Sequence, residues 1–115
     1  MKNNGGTTMI YESYCSKELS LMLKEKGINA QFKHAYYNPD KDGCRQHYCK
    51  YSHAVAMKWL RQVKNINIFI LPLRKGYTYS LYNNTGALTL KEIREYSTYE
   101  NATEEALKYI LKNLI

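Results

Sequence analysis

The stretch SHAVAMKWLRQVKNINIFILPLRKGYTYSLYN, residues 52–83, contains the clearest secondary-structure signals in the chain and determines the predicted fold. Ser52 is a favourable N-cap, and the apolar residues behind it recur at the i, i+3, i+4, i+7 spacing of one helix face. The residues expected to face the core from this helix are Ala56, Trp59, Leu60 and Val63. The β-branched run at 66–73 is too short for a helix and predicts a central strand, and a second strand is expected at 77–83.

The segments before this stretch predict a helix and a hairpin. Ser16 is a plausible N-cap for a helix that ends at Gly27, and a start near Tyr11 is the alternative. The segments 30–37 and 45–51 read as two strands, because the residues between them are rich in Asn, Pro, Asp and Gly.

The segments after it predict one more strand and a last helix. The strand is expected at about 88–96, and the capping box Ser97-x-x-Glu100 predicts a helix that runs to about Leu114. The resulting order is α-β-β-α-β-β-β-α. Because short turns join successive strands, we expect an α+β fold with a small antiparallel sheet and helices packed on it.

Composition indicates a single domain in a reducing compartment. We expect a flexible tail at 1–8 and one α+β domain at 9–115. No run of 18 apolar residues is present, so no membrane association is expected, and the polar start of the chain is unlike a signal peptide. Three cysteines are an odd number, which favours reduced thiols and a cytoplasmic location.

Positive charge is concentrated in one part of the chain. Residues 41–75 contain eight Lys or Arg and a single acid, Asp42, and so account for the whole formal net charge of +7. Aromatic and imidazole side chains lie between these cations. Because like charges repel one another in a folded domain, this concentration indicates an anionic partner.

The start of the Ser52 helix is the predicted anion site. Free N–H groups and the positive end of the helix dipole favour an anion at that position. Arginine forms bidentate contacts with phosphate, and tyrosine or histidine can stack on a base. The residues predicted to bind the ligand are Arg45, His47, Tyr48, Lys50, Tyr51, Ser52, His53, Lys58 and Arg61. The alternative for Lys58 and Arg61 is that they only solvate a surface helix.

No metal, cofactor or catalytic group is predicted. Cys44, His47, Cys49 and His53 supply four ligands of the type that zinc prefers, but their spacing fits no standard finger, and we expect them to be unligated. A nucleophilic cysteine, Cys15 included, needs a histidine, and no Asp or Asn is placed to orient one. Phosphate-loop and dinucleotide motifs are absent. We therefore expect a binding protein, not an enzyme.

Three segments carry a resemblance to a known family. SKELSLMLKEKG at 16–27, AVAMKWLRQVKNINI at 54–68 and STYENATEEALKYILKNLI at 97–115 resemble small proteins encoded by gut-bacterial phages and prophages. The family pattern has an acid where this chain has Gln62, and it does not include Cys44, Cys49 or the histidines near them. The resemblance implies architecture and genomic context, and with them an accessory role in the cytoplasm of a bacterial host: countering host defence, or regulating or packaging nucleic acid.

Three hypotheses of function follow. The first is binding of a phosphate-bearing nucleotide, including a cyclic or signalling nucleotide, which the protein would sequester as a homodimer to counter host defence. The second is sequence-nonspecific DNA or RNA binding, and the third is inhibition of a host protein. A concave pocket favours the nucleotide, whereas an extended basic surface favours nucleic acid.

Overall fold

The computed structural model describes residues 9–29, 35–39, 45–91 and 94–115, with the backbone alone at 35–39, 45–49 and 88–91. It has the α+β architecture that the sequence predicts. The elements in chain order are α1 (Lys17–Glu25), β1 (Ala35–Pro39), β2 (Arg45–Cys49), α2 (His53–Trp59), a π-helical turn (Leu60–Lys64), β3 (Ile66–Pro72), β4 (Tyr77–Asn83), β5 (Leu88–Lys91) and α3 (Tyr99–Asn113). The predicted tail at 1–8 and the loop at 40–44 lie outside the described residues.

The described strands form two antiparallel sheets, whereas the sequence predicted one. β1 pairs with β2, and a separate sheet has the order β3-β4-β5. β3 is therefore an edge strand in the described part of the chain, which corrects its prediction as a central strand. Pro72 is tolerated at its end because an edge position requires no ladder hydrogen bond from the missing N–H.

The helix caps agree with local sequence chemistry at two of three starts. The Ser16 hydroxyl accepts a hydrogen bond from Leu19 N–H at 3.1 Å, and Ser52 caps α2 in the same way. The last helix begins one residue later than predicted, because Thr98, not Ser97, accepts from Asn101 N–H at 3.0 Å. The Ser97 hydroxyl instead accepts from the Asn101 side chain.

The π-helical turn after α2 changes which residues face the core. A wider turn shifts the phase of every side chain that follows it. Val63, predicted to be buried, is therefore 59% exposed, whereas Leu60 is fully buried. Asn65 ends the turn in the left-handed conformation with φ 60°, and β3 begins at the next residue.

One hydrophobic core joins all three helices to the inner face of the β3–β4 sheet. Trp59 belongs to it, as predicted, with 9% of its surface exposed. β3 contributes its isoleucines, which are partly buried against this core. The buried members of the core are Cys15, Leu19, Leu23, Ile28, Tyr51, Ala56, Trp59, Leu60, Tyr79, Leu81, Ala106, Leu107, Ile110 and Leu111.

The strand predicted at 88–96 is described except for residues 92–93. β5 covers Leu88–Lys91, residues 94–95 lie outside any strand, and Tyr96 forms an isolated bridge in which its N–H and C=O both pair with Tyr77. This bridge brings the Tyr96 carbonyl against Gly76, where a Cβ atom would overlap it. Position 76 therefore requires glycine, because the Tyr96 carbonyl leaves no room for a side chain. In the described residues no helix has the length and apolar character needed to cross a membrane.

Candidate functional site

Three of the predicted ligand-binding residues lie on β2. Arg45, His47 and Tyr48 belong to the two-stranded sheet, for which the structure describes the backbone. Their binding role stays a prediction. Their sheet, β1-β2, is separate from the β3-β4-β5 sheet, which begins shortly after Lys58 and Arg61 in the chain.

Tyr51, Ser52 and His53 are buried at the start of α2. The chain before α1 lies alongside them: Cys15 N–H donates to the Tyr51 carbonyl at 2.8 Å, and His53 N–H donates to the Ser13 carbonyl at 2.9 Å. These three residues therefore connect α2 to the chain segment that leads into α1.

An acidic side chain already faces this helix start. Glu104 of α3 accepts a hydrogen bond from His53 Nε2 at 3.0 Å, and its oxygens lie 3.3 and 3.4 Å from Ser16 N–H. The second ring nitrogen of His53, Nδ1, is buried without a hydrogen-bond partner among the described residues. A carboxylate of the protein itself thus supplies the negative charge that the predicted anion site was expected to recruit.

The charge of Glu104 is stabilised by its neighbours. Burial by itself would raise the pKa of this carboxyl, but the hydrogen bonds from His53 and Ser16 outweigh it and hold the pKa below its ordinary value. Lys108 Nζ lies 3.9 Å from Glu104 and 3.3 Å from Glu18. Partial burial lowers the pKa of Lys108, but the hydrogen bond and charge of Glu18 outweigh this effect and raise it overall. Glu104 is therefore ionised at neutral pH.

Cys15 lies next to this network but lacks the properties of a nucleophile. Its side chain is fully buried. Burial raises the pKa of the Cys15 thiol to about 12, and the charge of Glu104 adds to the increase. Because the thiolate is the reactive form, a thiol that remains protonated at neutral pH is inert.

Sequence reasoning missed Glu104 as a partner of His53, since 51 residues separate them.

The predicted metal-type cluster is only partly described. Cys44 lies outside the described residues, and the side chains of His47 and Cys49 are not described. His53, the remaining member, is hydrogen-bonded to Glu104. Where side chains are described, no group of three or more His, Cys, Asp or Glu is arranged to hold a metal ion.

The remaining predicted cations lie at the surface. Lys58 and Arg61 are exposed on α2 and the π-helical turn, and so is Lys64. The Lys64 ammonium lies 5.6 Å from the centroid of the Trp59 ring. Lys50 Nζ lies over the ring of Tyr14, 4.3 Å from its centroid. Lys58, Arg61 and Lys64 are therefore positioned to meet an external anion.

A second surface feature lies on the strands that follow the π-helical turn in the chain. Asn67, Phe69 and Leu71 of β3 alternate with the isoleucines that face the core, and Tyr82 of β4 is paired with Asn67. We call these four residues the outer sheet face. Phe69 is 51% exposed, and its ring meets Tyr82 edge to face with centroids 5.1 Å apart. Together with the β4–β5 turn they line an open, mainly apolar groove of about 490 Å³.

Asparagine side chains join one end of this groove to the basic turn after α2. Asn84 accepts from Asn67 at 2.8 Å and donates to Asn65 at 2.7 Å. The Asn84 amide also lies 3.5 Å from the carbonyl of Arg61. The backbone that carries Arg61 and Lys64 is thereby held at this end of the outer sheet face.

The opposite end of β3 is also basic. Leu73, Arg74 and Lys75 follow the strand and are exposed, and Leu73 N–H closes the turn on the Gly76 carbonyl at 2.7 Å. The sequence from Gly43 to Lys91 contains no Asp or Glu. α2, β3, β4 and β5 are therefore built from a segment whose only formal charges are positive.

Sequence reasoning identified the cations but not the outer sheet face. The run at 66–73 reads as continuously apolar, which is typical of a strand buried on both faces. Two signals favoured an exposed face: Asn67 is in phase with Phe69 and Leu71, and Pro72 is typical of an edge strand.

Comparison of the chain with protein families, with curated protein sequences and with solved structures gives no significant match.

Proposed function

We propose that this protein binds a phosphate-bearing nucleotide ligand, without converting it chemically, at the outer sheet face. The observation that carries the proposal is an exposed groove lined by Phe69 and Tyr82, on a strand that basic residues precede and follow, in a segment free of acidic residues. Nucleotides combine an apolar, stackable base with negative charge, and this surface offers a complement to each. Arg61, whose backbone meets one end of the groove, and Arg74 and Lys75, which follow β3 at the other end, are the cations proposed to contact phosphate.

The start of α2 is a weaker candidate for the same ligand. Tyr51, Ser52 and His53 are buried, and the ionised Glu104 would repel a phosphate there. Two of the ligand-binding residues predicted from the sequence, Lys58 and Arg61, are exposed, and both lie shortly before β3 in the chain. The proposal therefore keeps the class of ligand and moves its site from the start of α2 to the outer sheet face.

Sequestration is the role that this binding serves. If the chain belongs with the small phage and prophage proteins that its sequence resembles, a non-catalytic binder in an infected cell acts by withholding a nucleotide from a host defence pathway. The homodimer and the location in the host cytoplasm belong to this proposal as well. Binding of a host protein remains the alternative outcome of the tests below.

The direct test is a thermal-shift screen with mononucleotides, cyclic nucleotides and short oligonucleotides. A ligand that binds only the folded state at about 100 times its Kd stabilises it by about 2.7 kcal/mol. Arg61→Glu is expected to weaken binding by about tenfold or more, because it places a negative charge at the groove. Lys112→Glu on α3 is the matched control, since it makes the same charge change on another element.

Two results would contradict the proposal. If it binds every stabilising nucleotide as tightly as the Lys112 variant does, the outer sheet face is not the site. If no nucleotide or oligonucleotide stabilises the wild-type protein, the nucleotide proposal is wrong and a protein partner becomes the better hypothesis.

A further inference from the structure

We infer that the ligand of the outer sheet face is a single-stranded nucleic acid several nucleotides long, with bases stacked on Phe69 and Tyr82. This inference rests on the proposed function, because it uses the same surface and the same base and phosphate chemistry, and it takes the ligand to be a nucleic acid strand, as in the second hypothesis, instead of a free nucleotide. It follows from three properties of the surface: the distance between its basic ends, the exposure of its aromatic rings and the shape of its groove.

The distance between the basic ends exceeds the size of a mononucleotide. β3 has seven residues between the π-helical turn that carries Arg61 and the turn that carries Arg74. At about 3.4 Å per residue the strand alone spans roughly 20 Å. The phosphates of one nucleotide can reach cations at only one end, whereas a strand with a phosphate every ~3.4 Å or more can reach both.

The aromatic rings are available to an incoming base. Phe69 is 51% exposed, and its edge-to-face contact with Tyr82 leaves ring surface open to the groove. Base–aromatic stacking is tolerant of sequence because every base has a π face. The Asn84 amide, at one end of the groove, is engaged with Asn65 and Asn67. The surface therefore favours stacking over base-specific reading.

The groove also distinguishes single strands from duplexes. It is open and lined mainly by apolar atoms of Phe69, Leu71 and Tyr82. A duplex hides its bases and would bring charged phosphates onto this apolar surface, which costs desolvation without a partner. An unpaired strand can turn its bases toward the groove and its phosphates toward the cations at either end.

The test measures fluorescence anisotropy of a labelled thymidine oligomer of about twelve nucleotides, with the matching uridine oligomer and duplex as competitors. The oligomer is expected to bind at least tenfold more tightly than thymidine monophosphate or the duplex, with affinity falling steeply between about 50 and 200 mM salt. Similar affinity for the two oligomers indicates a surface that accepts both DNA and RNA, and a preference for one identifies the sugar that it recognises.

Variants locate the site. Phe69→Ala is expected to weaken oligomer binding by at least about fivefold through lost stacking, whereas Phe69→Trp should retain or strengthen it. Val63→Ala is the matched control, because Val63 is an exposed apolar residue away from the outer sheet face. Far-UV circular dichroism and melting of each variant confirm that it is folded. The tryptophan variant keeps the test valid if the alanine variant does not fold.

The outcomes separate this inference from the proposed function. If mononucleotides bind and the oligomer binds no more tightly, or if the duplex binds best, the inference is wrong and the proposed function stands. If the oligomer binds equally well to the Phe69→Ala and wild-type proteins, stacking at this face is refuted. If neither class of ligand binds, both proposals fail together.

Discussion

Replacing Glu104 with alanine is expected to lower the stability of the protein. Among the charged side chains whose contacts the structure describes, we expect this replacement to have the largest effect. The carboxylate is the common acceptor for His53 of α2 and for the N–H of Ser16 before α1, and its side chain is only 16% exposed. It therefore connects the starts of two helices to the middle of a third.

The magnitude follows from the hydrogen bonds that are lost. A hydrogen bond to a charged group contributes about 1.5–3 kcal/mol, and a buried donor left unpaired costs about 1–3 kcal/mol. Because one contact is long and partly open to water, we expect Glu104→Ala to lower the free energy of unfolding by about 3 kcal/mol. For a domain of this size that corresponds to a fall in Tm of roughly 12 °C.

Urea unfolding followed by circular dichroism measures this free energy directly, with a lower midpoint and an unchanged m-value expected. Glu105→Ala is the matched control. Glu105 is the next residue, carries the same charge and is 43% exposed, and its side chain forms an ion pair with Lys108 at 3.8 Å as its one polar contact within the described part of the chain. An exposed pair of this kind contributes about 0–1 kcal/mol.

The same network predicts a dependence on pH. The pKa of Glu104 is lower in the folded state than in the unfolded chain, so the stability that it contributes is present above the unfolded-state pKa. This contribution is lost as the pH falls below about 4.3 and through the folded-state pKa. The Glu104→Ala variant should therefore lose less stability than wild type over that range. Equal destabilisation by the Glu104 and Glu105 substitutions, together with parallel pH profiles, would refute this account of the network.

Three further predictions concern single side chains. Trp59→Ala should cost about 3–5 kcal/mol, because it removes a buried aromatic from the core; wild-type melting of this variant would show that the ring is dispensable. Gly76→Ala should cost about 1–3 kcal/mol, since its Cβ meets the Tyr96 carbonyl, whereas Gly86→Ala, with open space around it, tests the effect of the backbone conformation alone. In a Cys44→Ser, Cys49→Ser background, Cys15 should react with a thiol reagent at pH 8 only after unfolding, because burial raises its pKa to about 12; rapid reaction of the folded protein would contradict its burial.

Much of the fold follows from local sequence chemistry. Ser16 and Ser52 cap helices as predicted because an N-cap hydrogen bond joins residues three apart and requires no distant partner. The buried face of α3 follows from helical spacing in the same way. The error at Ser97 is also local, since Thr98 offers an equivalent hydroxyl one residue later.

The prediction of Val63 as a core residue failed because a helix template assumes a constant turn. The π-helical turn breaks that assumption after Trp59, and its position is not encoded in the spacing of apolar residues. β3 was misplaced for a related reason. An apolar run specifies a strand, but only the packing of the finished sheet decides which of its faces is covered.

The candidate site shows the same division. The sequence by itself determined that positive charge without any acid is concentrated in the segment that forms α2 and the second sheet, because charge is counted residue by residue. Only the tertiary structure decided that Glu104 occupies the start of α2 and that Phe69 and Tyr82 meet on an exposed face of the sheet. Those contacts join residues 13 and 51 positions apart along the chain. Contacts over such separations arise from the packing of whole elements against one another, which no local pattern of residues specifies.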